Sequence, residues 1–239
     1  MAMARFLLPP DTWSTSELRG DEAKHLSQVL RIKAGEWVTV FDGLGRQAEA
    51  EVLSVARDCV SLQLGEARTT PALSPRITLA QAIPKGKNMD LIVQKAVELG
   101  IARIQPLVTR HTIVQPGEGK ADKWRRTALE ACKQCGQNTL PEVADAVAFD
   151  DWIRTQSTSP DLKLIASLAN GAKPLRETLH QHPDTSACTL LIGPEGDFSA
   201  EETTQALAAG FLPVTFGNII LRVETASLFG MSAIRYEFS

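Results

Sequence analysis

TLLIGPEGDFSAEETTQALAAGFLPVTFGNIILRVETASLFGMSAIRYEF, residues 189–238, is the stretch whose reading decides the fold. TLLIG is a short apolar run closed by glycine, the pattern of a buried strand. SAEETTQALAAG reads as a helix, with Ser199 and Glu202 spaced as a capping box and Gly210 as its stop. LPVTFGN is a further strand, and ETASLFGMSAIRYEF a closing helix. Strand, helix, strand and helix in this order imply parallel strands joined by crossovers.

The same alternation extends upstream to Arg76. RITLAQAI is an apolar strand. NMDLIVQKAVELG is a helix whose stripe is Met89, Ile92, Val93, Ala96 and Val97, closed by Gly100. IARIQPLV is a strand, DKWRRTALEACKQCGQ a basic helix, and DLKLIASL another strand. Residues 72–239 therefore predict a mostly parallel sheet with helices on both sides. Residues 1–71 differ. WVTVF, QAEAEVLSVA and CVSLQLG are closely spaced strands, with Asp42-Gly43 marking a turn and Ala48, Ala50 and Val52 on one face. They suggest a small barrel, preceded by a short helix, DEAKHLSQVLRIKAG, with Leu26, Val29 and Leu30 inward. GEARTTPALSP has no periodicity and is the linker candidate, with the boundary near Pro71.

The 239 residues, 44% hydrophobic and 22% charged, are enough for a full core. No apolar run is long enough for a membrane span. The beginning, MAMARFLLPPDTW, lacks the features of a secretory leader, so a cytoplasmic location is expected. Four cysteines in a chain this long do not form a disulfide framework. Cys132 and Cys135 have no second ligand pair for zinc and lie late on a helix, so they read as two thiols on one helix. His180 and His182 have no nearby carboxylate or thiol to complete a site, and no metal is expected. Net charge is −3, but eleven Lys/Arg against five acids give Arg76–Lys133 a net +6 and leave −9 for the rest. That surplus marks either a phosphate-facing surface or ordinary solvated helix faces.

Ligands of open parallel sheets bind at the carboxyl ends of the strands. Two loops there are unusual. Ile192-Gly193-Pro194-Glu195-Gly196 offers glycines that let backbone approach a ligand closely. Phe216–Ala226 is an apolar loop that either wraps a ligand or plugs the sheet edge. The usual dinucleotide fingerprint, the P-loop and the serine nucleophile elbow are all absent.

GPEG after a strand, followed by FGNIILRVETA, resembles the RsmE family of 16S ribosomal RNA uridine-N3 methyltransferases. HLSQVLRIKAG, PKGKNMDLIVQKAVELGIARIQPL and ALEACKQCGQNTLPEV are similar to other segments of that family, in the same order. The resemblance covers most of the chain. It implies a PUA-like RNA-holding barrel in 1–71 and a SPOUT α/β domain with a deep trefoil knot in 72–239. It further implies an S-adenosylmethionine pocket at the knot, a homodimer, and the small ribosomal subunit as partner. Carried over to this sequence, cofactor contacts would come from Leu168, Ile192, Gly193, Pro194, Glu195, Gly196, Phe216, Gly217, Leu221, Glu224, Thr225 and Ala226. Arg222 would stabilise charge on the deprotonated uracil, unless it is spent on a salt bridge to Glu224 or Glu195. RNA phosphates would meet Arg5, Arg31, Lys85, Lys87, Arg110, Arg125 and Arg126. Two departures stand out. Asp197 replaces the family's usual glycine, and Gln137 its usual arginine, with Lys133 nearby as a substitute cation. A knotted enzyme acting on tRNA or on a 2′-hydroxyl, and a non-catalytic ribosome-assembly factor, are the rival readings.

Overall fold

The computed structural model describes residues 3–113, 117, 119–169 and 171–239. Glu118, counted among the acids of the basic stretch, and Met1 and Ala2 of the N-terminal stretch lie outside the described residues. The chain forms two compact units, Met1–Ala72 with Leu129–Leu140, and Leu73–Ala128 with Pro141–Ser239.

The first unit is a curled sheet of β1 (Arg5–Leu7), β2 (Glu17–Arg19), β3 (Trp37–Phe41), β4 (Arg46–Val55), β5 (Cys59–Leu64) and β6 (Arg68–Thr69). Its order is β1-β3-β4-β5-β2, with β6 on β4. Alternation along β4 buries Ala48, Ala50 and Val52, which join Phe6, Leu18, Leu26, Val38 and Val60 in one core. Helix α1 (Gly20–Lys24) widens into a π turn, His25–Leu30, that ends on Arg31 at φ 56°. The extra residue per turn breaks the expected stripe. Leu26 is buried as predicted, but Val29 and Leu30 are 67% and 44% exposed.

Residues 129–140 are held to this unit by polar contacts. Arg5 donates to Gln137 O at 3.1 Å, Asn138 Oδ1 at 2.5 Å and Gln47 Oε1 at 3.3 Å. Asn138 donates to Thr70 Oγ1 at 2.9 Å. Lys133 bonds Glu22 Oε1 at 2.5 Å and Glu130 Oε1 at 3.0 Å.

The second unit comprises β7 (Arg76–Ala82), α2 (Asn88–Glu98), β8 (Arg103–Val108), α3 (Lys120–Cys135), β9 (Glu142–Val143), β10 (Val147–Ala148) and α4 (Phe149–Gln156). It continues with β11 (Leu162–Ala166), β12 (Lys173–Pro174), α5 (Leu175–His180), β13 (Ala187–Ile192), α6 (Ala200–Ala208), β14 (Leu212–Thr215) and α7 (Val223–Glu237). The latter part of α3 belongs to the first unit. The sheet order is β10-β8-β7-β13-β11-β14-β12, with β9 on β8, and all these pairs are parallel. The five long strands and α2, α6 and α7 lie where periodicity predicts them. The two-residue strands, α4 and α5 are additions.

One face packs Ala80, Leu107 and Leu191 against Phe149, Trp152, Phe198, Ala206 and Phe211. Alternation turns Gln81 and Leu190 to the other face, where α7 lies against α2, β7 and β13. Gly230 permits the close approach, since a β-carbon there would meet Leu190 Cδ2 at 2.7 Å. Two polar anchors fix α7. Ser227 Oγ donates to Gln81 Oε1 at 2.5 Å with both residues fully buried. Arg235 donates to the carbonyls of Ser74, Pro75, Leu99 and Gly100. Among the described residues no helix is long and apolar enough to cross a membrane.

Candidate functional site

Three loops leave the carboxyl ends of neighbouring strands β11, β13 and β14 and enclose a cavity of about 500 Å³. From the β11 loop come Ser167 and Leu168, from the β13 loop Ile192 to Glu195, and from the β14 loop Phe216, Gly217 and Ile219 through Glu224. Of the residues singled out in the sequence, Leu168, Ile192, Gly193, Pro194, Glu195, Phe216, Gly217, Leu221, Arg222, Glu224 and Ala226 line it. Gly196 and Thr225 do not. Gly196 packs instead against His111, where a β-carbon would meet His111 Cβ at 3.2 Å. Asn88, Ala166, Ser167, Asp197, Val214, Ile219, Ile220 and Val223 also line it and were not singled out as ligand contacts. Asn88 closes the PKGKN stretch, whose glycine and lysines have the wrong spacing for a phosphate loop.

The β14 loop does not plug the sheet. Ile219 and Ile220 are each 77% exposed. Gly217 at φ 112° lets the chain turn there. Arg222, at the N-cap of α7, is exposed, and neither Glu224 nor Glu195 pairs with it. Glu224 Oε2 accepts from Asn88 Nδ2 at 3.2 Å, and Glu195 Oε1 accepts from Lys85 N at 2.9 Å. Among the described residues the Arg222 guanidinium has no partner, so the salt-bridge alternative is overturned.

The GPEG loop owes its shape to side chains on its own unit. A β-carbon at Gly193 would meet Asp197 Oδ1 at 3.1 Å and Phe198 Cε2 at 3.2 Å. The missing β-carbon makes room for Phe198. Asp197 has φ 58°, a left-handed conformation that favours glycine. Its Oδ1 accepts from Phe198 N at 2.8 Å, the local bond that lets aspartate tolerate this conformation. Ser199 and Glu202 make the reciprocal capping box below it.

The cations expected on RNA have different fates. Lys85, Lys87, Arg126 and Arg31 are exposed. Arg110 pairs with Glu201 at 2.8 Å, and Arg125 with Asp122 at 2.8 Å and Asp145 at 2.7 Å. These bonds hold the Arg125 guanidinium above its ordinary pKa. Arg5 donates to Gln47, Gln137 and Asn138, and burial lowers its pKa. Lys133 is a correction. Its side chain is 8% exposed and paired twice, so it cannot stand in for the missing arginine. Much of the basic surplus is matched in space, since Arg103 pairs with Glu142 and Lys123 with Asp90. His180 bonds Glu237 Oε1, and His182 Nδ1 faces Thr178 O. Cys132 is buried and Cys135 exposed.

A family model described as an RNA methyltransferase domain matches residues 72–235, and an RNA methyltransferase PUA domain matches residues 18–64. A relative from Synechocystis, ribosomal RNA small subunit methyltransferase E, is 31% identical over 92% of this chain and 73% of its own. The chain belongs to the RsmE family. The Bacillus subtilis member is 27% identical over 93% of this chain and 90% of its own. The crystal structure of the Neisseria gonorrhoeae member bound to S-adenosylmethionine superimposes with a TM-score of 0.86 at 34% identity, covering 98% of this chain and 97% of that one. The first unit is thus a PUA-like RsmE domain and the second the SPOUT-type α/β domain.

Proposed function

We infer that this chain transfers a methyl group from S-adenosylmethionine to N3 of a uridine in 16S ribosomal RNA of the small ribosomal subunit. The carrying observation is the cavity built by the loops after β11, β13 and β14, placed where open parallel sheets take their ligands. Family membership supplies the reaction class, and the Neisseria relative the cofactor.

The cavity fits that cofactor. Ile192, Val214, Phe216 and Leu221 give apolar walls, while Glu195, Asp197 and Glu224 outnumber Arg222 around it. Such a lining suits a ligand with an adenosine face and positive sulfonium and ammonium groups. When bound, S-adenosylmethionine supplies an electrophilic methyl group. The chain's own residues do the rest. The three carboxylates favour the cationic ligand. Asn88 holds Glu224 in place, and the amide of Lys85 holds Glu195. Arg222, unpaired among the described residues and permanently charged, can fork two hydrogen bonds onto uracil carbonyl oxygens as N3 loses its proton. Lys85, Lys87 and Arg126 are exposed cations available to phosphate, with Arg31 on the PUA-like unit.

The domain division at residue 71, the trefoil knot, the homodimer and the cytoplasmic location belong to the same reading. Helix α7 follows β14 yet packs on central β7 and β13, the inward return that a knot requires. Ile219, Ile220, Phe229 and Tyr236 leave apolar surface for a second copy. Comparing ribosomal RNA nucleosides by mass spectrometry from cells with and without the gene tests the reading. N3-methyluridine should vanish from 16S RNA without the gene. Its persistence, or loss of a tRNA or 2′-O-methyl mark instead, would refute it.

A further inference from the structure

The imidazole of His111 lies against the GPEG loop. Its Nδ1 is 3.0 Å from both Gly196 O and Asp197 O. Carbonyl oxygens only accept, so Nδ1 carries a proton and donates to the pair. In the neutral ring this leaves Nε2 with a bare lone pair. The ring borders a second cavity, of about 510 Å³, also lined by Lys85, Arg110, Thr112 and Glu195. Glu195 borders both this cavity and the one assigned to the cofactor. The volume falls in the range of small-ligand sites. The Lys85 ammonium has no partner among the described residues, and Arg110 is held by Glu201.

We propose that this second cavity seats the acceptor nucleotide as it arrives, and that His111 Nε2 selects uracil there by accepting its N3–H, a bond given up before N3 turns to the methyl group. The inference rests on the methyltransferase reading above and adds where the base enters and what recognises it. The phosphate lies toward Lys85 and Arg110, the base edge toward His111, and the boundary at Glu195 brings the base beside the cofactor cavity. Cytosine has a lone pair at N3 and would set one acceptor against another. One hydrogen bond made or opposed is worth about tenfold in affinity. The charged groups facing the imidazole are Lys85, Arg110 and Glu195. Glu201 and Glu202 approach Arg110 from α6, and Asp197 turns its carboxylate onto Phe198 N.

The test uses the full-length protein, labelled with nitrogen-15 in its histidines and saturated with S-adenosylmethionine, at mildly alkaline pH. It is titrated with uridine monophosphate and then with cytidine monophosphate. The His111 ring should be protonated at Nδ1. Uridine monophosphate should shift its Nε2 resonance and bind about tenfold tighter than cytidine monophosphate. His111→Asn retains an amide donor for the two carbonyls but has no group at Nε2. It should lose the preference while calorimetry shows cofactor affinity unchanged. A merely structural histidine would leave the preference intact in that variant. Protonation at Nε2, no binding of uridine monophosphate, equal affinities in the wild type, or a preference kept by His111→Asn would each overturn the proposal. If calorimetry shows no cofactor binding to the wild type, the methyltransferase reading itself fails. Cofactor binding without uracil preference sinks only the role of His111.

Discussion

Asn88 donates its side-chain amide to Glu224 at 3.2 Å, tying the first turn of α2 to the first turn of α7. Two residues before Glu224, Arg222 lines the cavity and has no partner among the described residues. The acid that could have neutralised Arg222 is thereby committed elsewhere. Arg222→Ala should lower single-turnover methylation by about 10²–10³-fold, the usual cost of removing one donor to developing charge. Cofactor affinity should change little, because a sulfonium gains nothing from a guanidinium. Arg222→Lys should recover little, since an ammonium cannot fork across two acceptors. Near-normal turnover in Arg222→Ala would remove it from the chemistry.

Gly193 separates packing from binding. Because its missing β-carbon makes room for Phe198 and Asp197, Gly193→Val should disturb the loop and the Phe149–Phe198 contact before it touches any ligand. We expect a stability loss of about 1–3 kcal/mol by urea denaturation, together with weakened cofactor binding. A fully stable Gly193→Val protein would contradict this account.

Ser227 and Gln81 form a buried pair that fixes the helix carrying Arg222. Ser227→Ala removes the donor and leaves Gln81 Oε1 unsatisfied in the core, at a cost of about 1–3 kcal/mol. The urea midpoint should fall while the denaturant slope stays constant. An unchanged midpoint would show that the pair contributes nothing.

The thiols of Cys132 and Cys188 are pushed up to about 12 from 9.0 by burial. In the unfolded chain they ionise near the ordinary value, so there the unfolded state binds fewer protons than the folded state. Stability contributed by these thiols is therefore fully present below about pH 9 and is lost as pH rises from there toward about 12. Comparing urea midpoints of the wild type and Cys188→Ala across that window isolates the effect. The wild type should fall more steeply, and parallel curves would contradict the assignment. At neutral pH a thiol reagent should label exposed Cys135 ahead of both.

Lys85 and Lys87 are the cations best placed to meet phosphate. Removing one phosphate-neutralising cation should reduce the log–log salt slope of RNA binding by about 0.7–0.9. Lys85→Ala/Lys87→Ala should flatten the slope and leave cofactor affinity intact. Arg125→Ala should affect it less, because Asp122 and Asp145 already hold that side chain. The reverse ranking would relocate the RNA surface.

Features set by short-range pattern were legible in the sequence. The buried stripe of α2, the Ser199–Glu202 box and the two loops around the cavity depend on neighbours a few residues apart. Features set by distant partners were not. Glu22 claims Lys133, Asn138 claims Arg5, and Glu142 and Glu201 claim Arg103 and Arg110, so a basic stretch in sequence is largely matched in space. The π turn at His25–Leu30 likewise broke a stripe that simple helical spacing had extended to Val29 and Leu30. His111 escaped notice because its partners, Gly196 and Asp197, are remote in the chain.

The central claim is methyl transfer to uridine N3, and reconstitution tests it most directly. The purified chain, with methyl-labelled S-adenosylmethionine and small ribosomal subunits from cells lacking the gene, is followed by nucleoside digestion and mass spectrometry. The account predicts label in N3-methyluridine at one 16S position, lost in Arg222→Ala. Label in any other nucleoside, or none in RNA under cofactor-saturating conditions, would contradict it.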